Sequence, residues 1–287
     1  MSKEISSMND VTIISTCEKR ENQDYETMAR RLVHSIRTNG GKYKDVDIVM
    51  WHCDEAVPSD ETKSRLSDAG CTVVEGKPFN APAVEGGEGG CEPVGNKIMA
   101  VNTPVSTEYS LWIDADMYVL DTSRFEELLD MTVDVAAAGP ENTYHRWARL
   151  DSPVEDRSWA KFYELAGVDP PSEQFVGGLD GEPCNFYFNS ALVFFKNGRG
   201  FTEAWADIAR LIRASGMPHC EESFTQTGLT VAAIKTADTT VRLPSAYNGY
   251  WSRYREKSFD QVILHYQDQE PAIRKIMGDD PRVKWDI

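Results

Sequence analysis

The chain of 287 residues is long enough for one large α/β domain or two small ones, and its hydrophobic fraction of 41% suffices for a full core. Its formal net charge of −16 disfavours nucleic acid and anionic membranes as partners, because both are bound through Lys and Arg side chains. The six cysteines lack metal-binding spacing, the N-terminus lacks the apolar core of a signal peptide, and no apolar run could span a membrane, so we expect a cytoplasmic protein.

The first part of the chain alternates predicted strands with predicted helices. Strands are expected at residues 11–16, 46–52 and 71–75, and helices at about 25–38 and 60–69. This β-α-β-α-β order with short connections predicts an α/β fold, in which a parallel sheet carries helices on its faces.

A glycine-rich segment at residues 80–96 interrupts this alternation. It is either a disordered surface loop or a mobile flap over a site, because long irregular loops in compact domains are often functional. A short helix is predicted at 97–101, and it would bring Lys97 within reach of a phosphate, although a single lysine is more often solvated.

The most informative stretch is YSLWIDADMYVL at residues 109–120, which we interpret as a buried strand containing two carboxylates. Buried charge is costly unless it is paired or bound to a metal. Asp114 and Asp116 therefore either cap a turn and pair with a basic side chain, or hold a divalent cation with a phosphorylated ligand. A helix predicted directly afterwards, with Asp121 or Thr122 as its N-cap, favours the cation, because strand–turn–helix junctions of open α/β sheets bind ligands.

After a further predicted strand at 133–138, the segment 139–184 is polar, aromatic and rich in Pro and Gly, with one predicted helix at 157–166. A long excursion of this kind at one edge of a sheet is typical of a lid that binds an acceptor. Aromatic side chains in it could stack on sugar rings or pack against the domain; these are Tyr144, His145, Trp147 and Trp159.

The last part of the chain supplies further polar candidates within apolar elements. A predicted strand at 185–196 is interrupted by Asn189 and Ser190, and a buried amide there must find partners. After a helix at 202–214, a second helix at 219–235 opens with Glu221 and Glu222, which either favour the helix dipole or point into a site. His265 ends the last predicted strand, at 262–266, as a core residue or a ligand.

The first strand and helix, with Thr16, Tyr25 and Ser35, resemble the uracil-binding segment of GT-A-fold glycosyltransferases, in particular of the glycogenin-like and lipopolysaccharide galactosyltransferase-like group. Three motifs further along the chain resemble those of the same group. They are LWIDADMYVLDTSRFEELL (111–129), FNSALVFFKN (188–197) and LPSAYN (243–248) followed by VILHY (262–266). The resemblance implies a single Rossmann-like GT-A domain over 1–287, with a mostly parallel central sheet and helices on both faces. Its nucleotide-binding half would cover about 1–120 and its acceptor-side half about 121–287.

The resemblance also implies a function and a set of site residues. The protein would be a metal-dependent hexosyltransferase. It would move a hexose from a nucleotide sugar of the UDP-sugar class to a glycan or other hydroxyl acceptor, with retention. Asp116 and His265 would ligate Mn²⁺ or Mg²⁺, and Asp114 would ligate it or bind ribose. By the same resemblance, Thr16 and Tyr25 would line the base pocket, with Ser35 in the same segment, and Lys97 would contact the diphosphate. Ala115 would belong to the metal motif, Asn189 and Ser190 would contact the sugar, and Glu221 or Glu222 would lie near the reacting carbon.

The chain departs from this group after His265. Asp268 and Pro271 stand where the group has a Gly and a phosphate-binding Lys, and Arg274 or Lys275 are candidate substitutes. Two other functions remain open from the sequence: a sugar nucleotidyltransferase and a non-catalytic carbohydrate- or nucleotide-binding protein. The first is disfavoured because residues 17–24 contain none of the glycines of a phosphate loop.

Overall fold

Alternating strands and helices make up the described part of the molecule. The computed structural model describes residues 10–20, 24–80, 93–139, 159–172, 175–176, 183–215, 220–250, 261–266 and 282–284. Its strands are β1 (Val11–Thr16), β2 (Asp47–Cys53), β3 (Cys71–Gly76), β4 (Tyr109–Ile113), β5 (Met117–Val119), β6 (Val135–Ala138), β7 (Phe175–Val176), β8 (Pro183–Cys184), β9 (Leu192–Lys196), β10 (Thr240–Leu243), β11 (Gly249–Tyr250) and β12 (Ile263–His265). Its α-helices are α1 (Tyr25–Asn39), α2 (Asp60–Asp68), α3 (Asn96–Val101), α4 (Thr122–Leu129), α5 (Trp159–Ala166), α6 (Phe201–Ala214) and α7 (Cys220–Thr236).

Seven of these strands form the central sheet, in the order β10-β6-β9-β4-β1-β2-β3. Its neighbours pair in parallel except for β9, which runs antiparallel to both β4 and β6. A second, three-stranded sheet has the order β11-β12-β5. The predicted α/β architecture with a mostly parallel central sheet is confirmed.

Apolar side chains cover both faces of the central sheet, as the alternation of strand residues requires. On β1, Ile13 packs in one core cluster with residues of α1 and α4, whereas Ile14 packs in another with residues of α3, α6 and α7. Helices therefore lie on both faces, and the loops at the carboxyl edge of the sheet remain available for a ligand site. Among the described helices, none is both long and apolar enough to cross a membrane.

The prediction of a single strand at 109–120 is wrong in one respect, because the structure divides this stretch into β4 and β5. Residues Asp114 and Ala115 turn the chain out of the central sheet, and Met117 N–H donates to Asp114 O at 3.2 Å. Two charged side chains one residue apart would otherwise lie on the same buried face of the strand, where they lack solvent. The chain instead enters the second sheet directly after Asp116.

The boundaries of the other elements differ less from the predicted ones. The strand predicted at 185–196 begins only at Leu192, because Asn189 and Ser190 form an irregular approach to it. The glycine-rich segment, apart from its two ends, and most of the predicted acceptor lid lie outside the described residues. Helix α4 has Asp121 as its N-cap, with its side chain accepting from the backbone N–H of Arg124.

The edge strand β5 is capped by side chains of α1. Ser35 Oγ accepts from the backbone N–H of Val119 at 3.0 Å and donates to Leu32 O at 2.7 Å, and Asn39 Nδ2 donates to Val119 O at 2.8 Å. These contacts pair backbone groups that an edge strand would leave unpaired. Ser35 is fully buried and is not among the described residues that line the candidate site.

We predict that Ser35→Ala lowers the free energy of unfolding by about 1–3 kcal/mol, because it leaves the buried Val119 N–H without its acceptor. Urea denaturation measures the loss. Ser64→Ala, at an exposed position of α2, is the matched control and should change stability by less than about 0.5 kcal/mol. Equal stability of the Ser35 variant and wild type would contradict the proposed capping of β5.

Candidate active site

The junction of the two sheets brings three predicted ligand residues together. Asp114 follows β4, and its N–H donates to Ala191 O at 2.9 Å, which extends the pairing of β4 with β9. Strand β12 runs antiparallel to β5 with His265 opposite Met117, and Tyr266 N–H donates to Asp116 O at 3.1 Å. This register brings His265 beside Asp116.

Asp114, Asp116 and His265 can each offer one ligand atom, and these atoms all lie within 4.8 Å of one another. His265 Nε2 is 3.3 Å from Asp116 Oδ2, and the imidazole is only 4% exposed. On the other side of the ring, Nδ1 is 2.8 Å from the side-chain oxygen of Asn248, which is itself buried. Asn248 Oδ1 accepts the Nδ1 proton, and this hydrogen bond directs Nε2 towards the carboxylates, as is usual for a metal-binding histidine.

The charges of His265 and Asp116 affect each other's pKa. Burial acts to lower the pKa of His265, but the attraction of Asp116 outweighs it and the pKa is raised. Burial acts to raise the pKa of Asp116, but His265 outweighs it and the pKa is lowered. The imidazole and the carboxylate therefore stabilise each other's charged forms, and a divalent cation bound between them would displace any proton on Nε2.

Lys97, at the start of α3, neutralises the other carboxylate. Its Nζ lies 2.9 Å and 3.1 Å from the two oxygens of Asp114, and 3.4 Å from both Ser190 O and Ser190 Oγ. Trp112 Nε1 donates to Asp114 Oδ1 and to Ser190 O, each at 3.0 Å. Burial nevertheless raises the pKa of Asp114. The two carboxylates of the motif thus have different partners.

A cleft of about 190 Å³ opens beside this cluster. The residues that line it are Thr16, Arg20, Tyr25, Val94, Lys97, Trp112, Asp114, Ala115 and Asp116. A larger cavity of about 640 Å³ lies between α1 and α2, but its described lining contains none of the residues of the acidic cluster. The smaller cleft is the candidate site because it joins carboxylates, cations and two aromatic rings at the carboxyl edge of the central sheet.

A second network holds one wall of this cleft. Glu18, just after β1, is 1% exposed and forms an ion pair with Arg20. Its other oxygen accepts from Asn96 Nδ2 at 2.6 Å, and Asn96 Oδ1 accepts from the Phe79 N–H at 2.9 Å. Because Asn96 directly precedes Lys97, the buried carboxylate connects the loop after β1 to the helix that carries Lys97.

The structure places the other predicted residues as follows. The side-chain Oδ1 of Asn189 accepts from the backbone N–H of Ala191 at 2.8 Å, and the backbone N–H of Asn189 donates to Ala138 O at 2.7 Å. These two bonds shape the approach to Ser190. Trp159 packs in an aromatic cluster with Phe162 and Tyr187. Glu221 and Glu222 start helix α7, but their side chains lie outside the described part of the structure, as do Tyr144, His145, Trp147, Asp268, Pro271, Arg274 and Lys275.

Sequence reasoning missed four residues of this site, and two of them had a local signal. Trp112 lies two residues before Asp114 and therefore shares its face of the strand, and Glu18 is a charge directly after a buried strand, as Asp114 is. Asn248 stands at the end of the motif LPSAYN, but neither it nor Arg20 had a local signal for its role, because their contacts join segments that are distant in sequence.

Comparisons with solved structures identify the fold. The chain is similar to the galactosyltransferase LgtC in complex with donor and acceptor sugar analogues, with 12% identity, a TM-score of 0.50, and coverage of 91% of this chain and 87% of that chain. It is also similar to an active-site mutant of LgtC, with 9% identity, a TM-score of 0.53 and the same coverage of 91% and 87%. At such low identity the likeness shows the fold alone, and this fold is GT-A, as the motifs predict.

The family follows from the sequence comparison. A family model described as the Rhodobacterales glycosyltransferase domain matches residues 20–227, and the chain belongs to this family. A search among curated proteins found no match. The protein is a glycosyltransferase, as predicted, and an enzyme of this class transfers a sugar from a donor to an acceptor.

We predict that Lys97→Met destabilises the metal-free protein by about 1.5–3 kcal/mol near pH 8 and by less near pH 5. Without Lys97 the already raised pKa of Asp114 rises further. When a group has a higher pKa in the folded state than in the unfolded state, the folded protein becomes less stable as pH rises towards that folded-state pKa. The destabilisation caused by Lys97→Met therefore grows with pH. Urea denaturation in EDTA at the two pH values measures it.

Lys42→Met is the matched control, because Lys42 pairs with the partly exposed Asp130 at 2.6 Å. It should cost less than about 1 kcal/mol at either pH, as is usual for exposed ion pairs. A Lys97 variant that loses no more than this control would show that Asp114 does not depend on Lys97.

Proposed function

We propose that this glycosyltransferase is metal dependent and transfers a hexose from a UDP-sugar to a hydroxyl group of a glycan or other acceptor, with retention of configuration. The observation that carries the proposal is the convergence of Asp114, Asp116 and His265, whose ligand atoms lie within 4.8 Å of one another. The motifs around these residues resemble those of retaining, metal-dependent glycosyltransferases that use UDP-sugars.

The chemistry of the donor set fits a divalent cation. Two carboxylates and one imidazole suit Mn²⁺, and the carboxylates alone suit Mg²⁺. The hydrogen bond from His265 Nδ1 to Asn248 supports this fit, because an oriented imidazole with its second nitrogen facing two carboxylates is typical of metal sites. When bound, the cation would neutralise the negative charge that develops on the departing diphosphate.

The remaining residues of the cleft bind and orient the donor. Thr16 and Tyr25 line the end of the cleft that we assign to the base, and Ser190 with Asn189 borders the end that we assign to the sugar. Lys97 contacts both Asp114 and Ser190. Binding of a cation at Asp114 would compete for this carboxylate and free the ammonium group of Lys97 for the diphosphate, which is the role that the resemblance implies for it.

The reacting carbon requires one more group. Departure of the diphosphate leaves an oxocarbenium-like sugar, which a nearby carboxylate stabilises. We assign this role to Glu221 or Glu222, at the start of α7, on the resemblance alone. With this carboxylate on the face opposite the departing diphosphate, the acceptor would enter on the diphosphate's own face. There an oxygen of the departing diphosphate would take the proton of the acceptor hydroxyl, and transfer would retain the configuration of the donor.

We predict that UDP binds the wild-type protein when Mn²⁺ is present and that Asp116→Asn weakens this binding by at least about 10–100-fold, since even indirect damage to a metal ligand has this effect. Isothermal titration calorimetry with and without Mn²⁺ measures it. The control is Asp207→Asn, an exposed carboxylate of α6 that pairs with Arg210. It should bind UDP as wild type does.

Absence of UDP binding to wild type under both conditions would overturn the UDP-sugar donor. If UDP binds, slow hydrolysis of a set of UDP-sugars identifies the hexose, and NMR of the first product shows its configuration. An inverted product would overturn retention and would leave the metal site standing.

We predict further that Asn248→Leu lowers the affinity for Mn²⁺ by about 10–100-fold, because it removes the acceptor that orients His265. Asn248→Asp keeps an oxygen acceptor at this position and should keep most of the affinity. Calorimetric titration of Mn²⁺ into each variant, without nucleotide, measures the effect apart from activity. Equal Mn²⁺ affinity of the Leu variant and wild type would show that Asn248 does not position the imidazole.

A further inference from the structure

Arg20 brings a second cation to the cleft. It follows β1 by four residues, in the loop that leads to α1, and it lines the cleft together with Lys97 and the acidic cluster. Of the described residues that line this cleft, Arg20 and Lys97 carry positive charge. A chain with a net charge of −16 needs such groups to bind an anion, because its overall field repels anionic ligands.

The guanidinium group of Arg20 is held in place from two sides. Nε donates to Glu18 Oε2 at 3.0 Å, and Nη2 donates to the same oxygen. The group also lies over the ring of Tyr25, with Cζ 4.5 Å from the ring centroid. A cation fixed by an ion pair and a ring contact loses little conformational freedom when a ligand binds.

Glu18 keeps Arg20 in this place when the cleft is filled. Glu18 is 1% exposed, and removing the cation from a buried carboxylate strongly destabilises the fold. Arg20 therefore stays paired with Glu18. A guanidinium has five N–H donors in one plane, so it can bind a carboxylate along one edge and a phosphate along another. Lys97 differs, since its partner Asp114 belongs to the candidate metal site.

Resting on the proposed function, we propose that Arg20 is a phosphate-binding residue for the nucleoside diphosphate of the donor, and that Glu18 positions it. Arg20 contacts the diphosphate from the side of Tyr25, where the base is assigned, while Lys97 and the cation face it from the side of Asp114. The diphosphate thus lies between two cationic walls in an acidic protein.

The test compares UDP with uridine, which has the base and ribose without phosphates. With saturating Mn²⁺, we expect Arg20→Gln to weaken UDP binding by about 10–100-fold, the range for a lost charged hydrogen bond, and to leave uridine binding nearly unchanged. Arg65→Gln is the matched control, because it makes the same charge change at an exposed position of α2. It should leave both affinities as in wild type.

The double variant Glu18→Gln/Arg20→Gln separates binding from folding, because it removes the buried carboxylate together with its cation. It should still lose UDP affinity. Recovery of wild-type affinity in the double variant would assign the loss to the unpaired Glu18 and overturn the proposal. Unchanged UDP affinity in Arg20→Gln, or equal losses for UDP and uridine, would overturn it as well.

Failure of the proposed function gives a different pattern. If wild type binds GDP with Mn²⁺ but not UDP, the donor nucleotide is corrected, and the same comparison with GDP and guanosine tests Arg20. If wild type binds no nucleoside diphosphate with Mn²⁺, the proposed function and the role of Arg20 are both overturned.

Discussion

The pairing of β5 with β12 is the constraint on which the site depends. It joins the middle of the chain to a segment near its end, and its antiparallel register places His265 opposite Met117, beside Asp116. The ligand set does not exist until these two strands have paired. A cation that binds all three side chains would therefore also stabilise the docked position of β12, since a ligand specific for the folded arrangement shifts the equilibrium towards it. Ser35 and Asn39 also stabilise the position of β5, because they hold its outer edge against α1.

The burial of two neighbouring carboxylates is tolerated because each has its own partner. Asp114 and Asp116 lie on either side of a turn, and the turn divides them between two environments: Lys97 and Trp112 for the first, His265 for the second. The pKa of Asp114 is raised by burial, while that of Asp116 is lowered against burial by the imidazole. A strand that continued straight through the motif would leave both carboxylates on one buried face. The break between β4 and β5 thus gives the two carboxylates different partners.

Much of the fold could be predicted from local pattern, and the site only in part. Strand β1 and helix α1 follow from apolar periodicity and from Gly40 after the helix, both of which are local signals. The resemblance to known motifs grouped Asp114, Asp116 and His265 as one ligand set. The residue pattern alone did not group them. The break of the strand, the hydrogen bond of Asn248 to His265 and the place of Arg20 depend on contacts between distant segments, and no local pattern contains them. The fold class was therefore more predictable than the partners of each side chain.

The same physical rule operates at the ends of two neighbouring strands. Strands β1 and β4 pair in parallel, and each is followed within a few residues by a mostly buried carboxylate, Glu18 or Asp114. Each carboxylate holds a cation at the wall of the cleft, Arg20 or Lys97. Asn96 links the two pairs, because it bonds Glu18 and directly precedes Lys97. Buried negative charge at the carboxyl edge of the sheet therefore orders positive charge towards the cleft, and this arrangement would favour the proposed diphosphate in a strongly acidic chain.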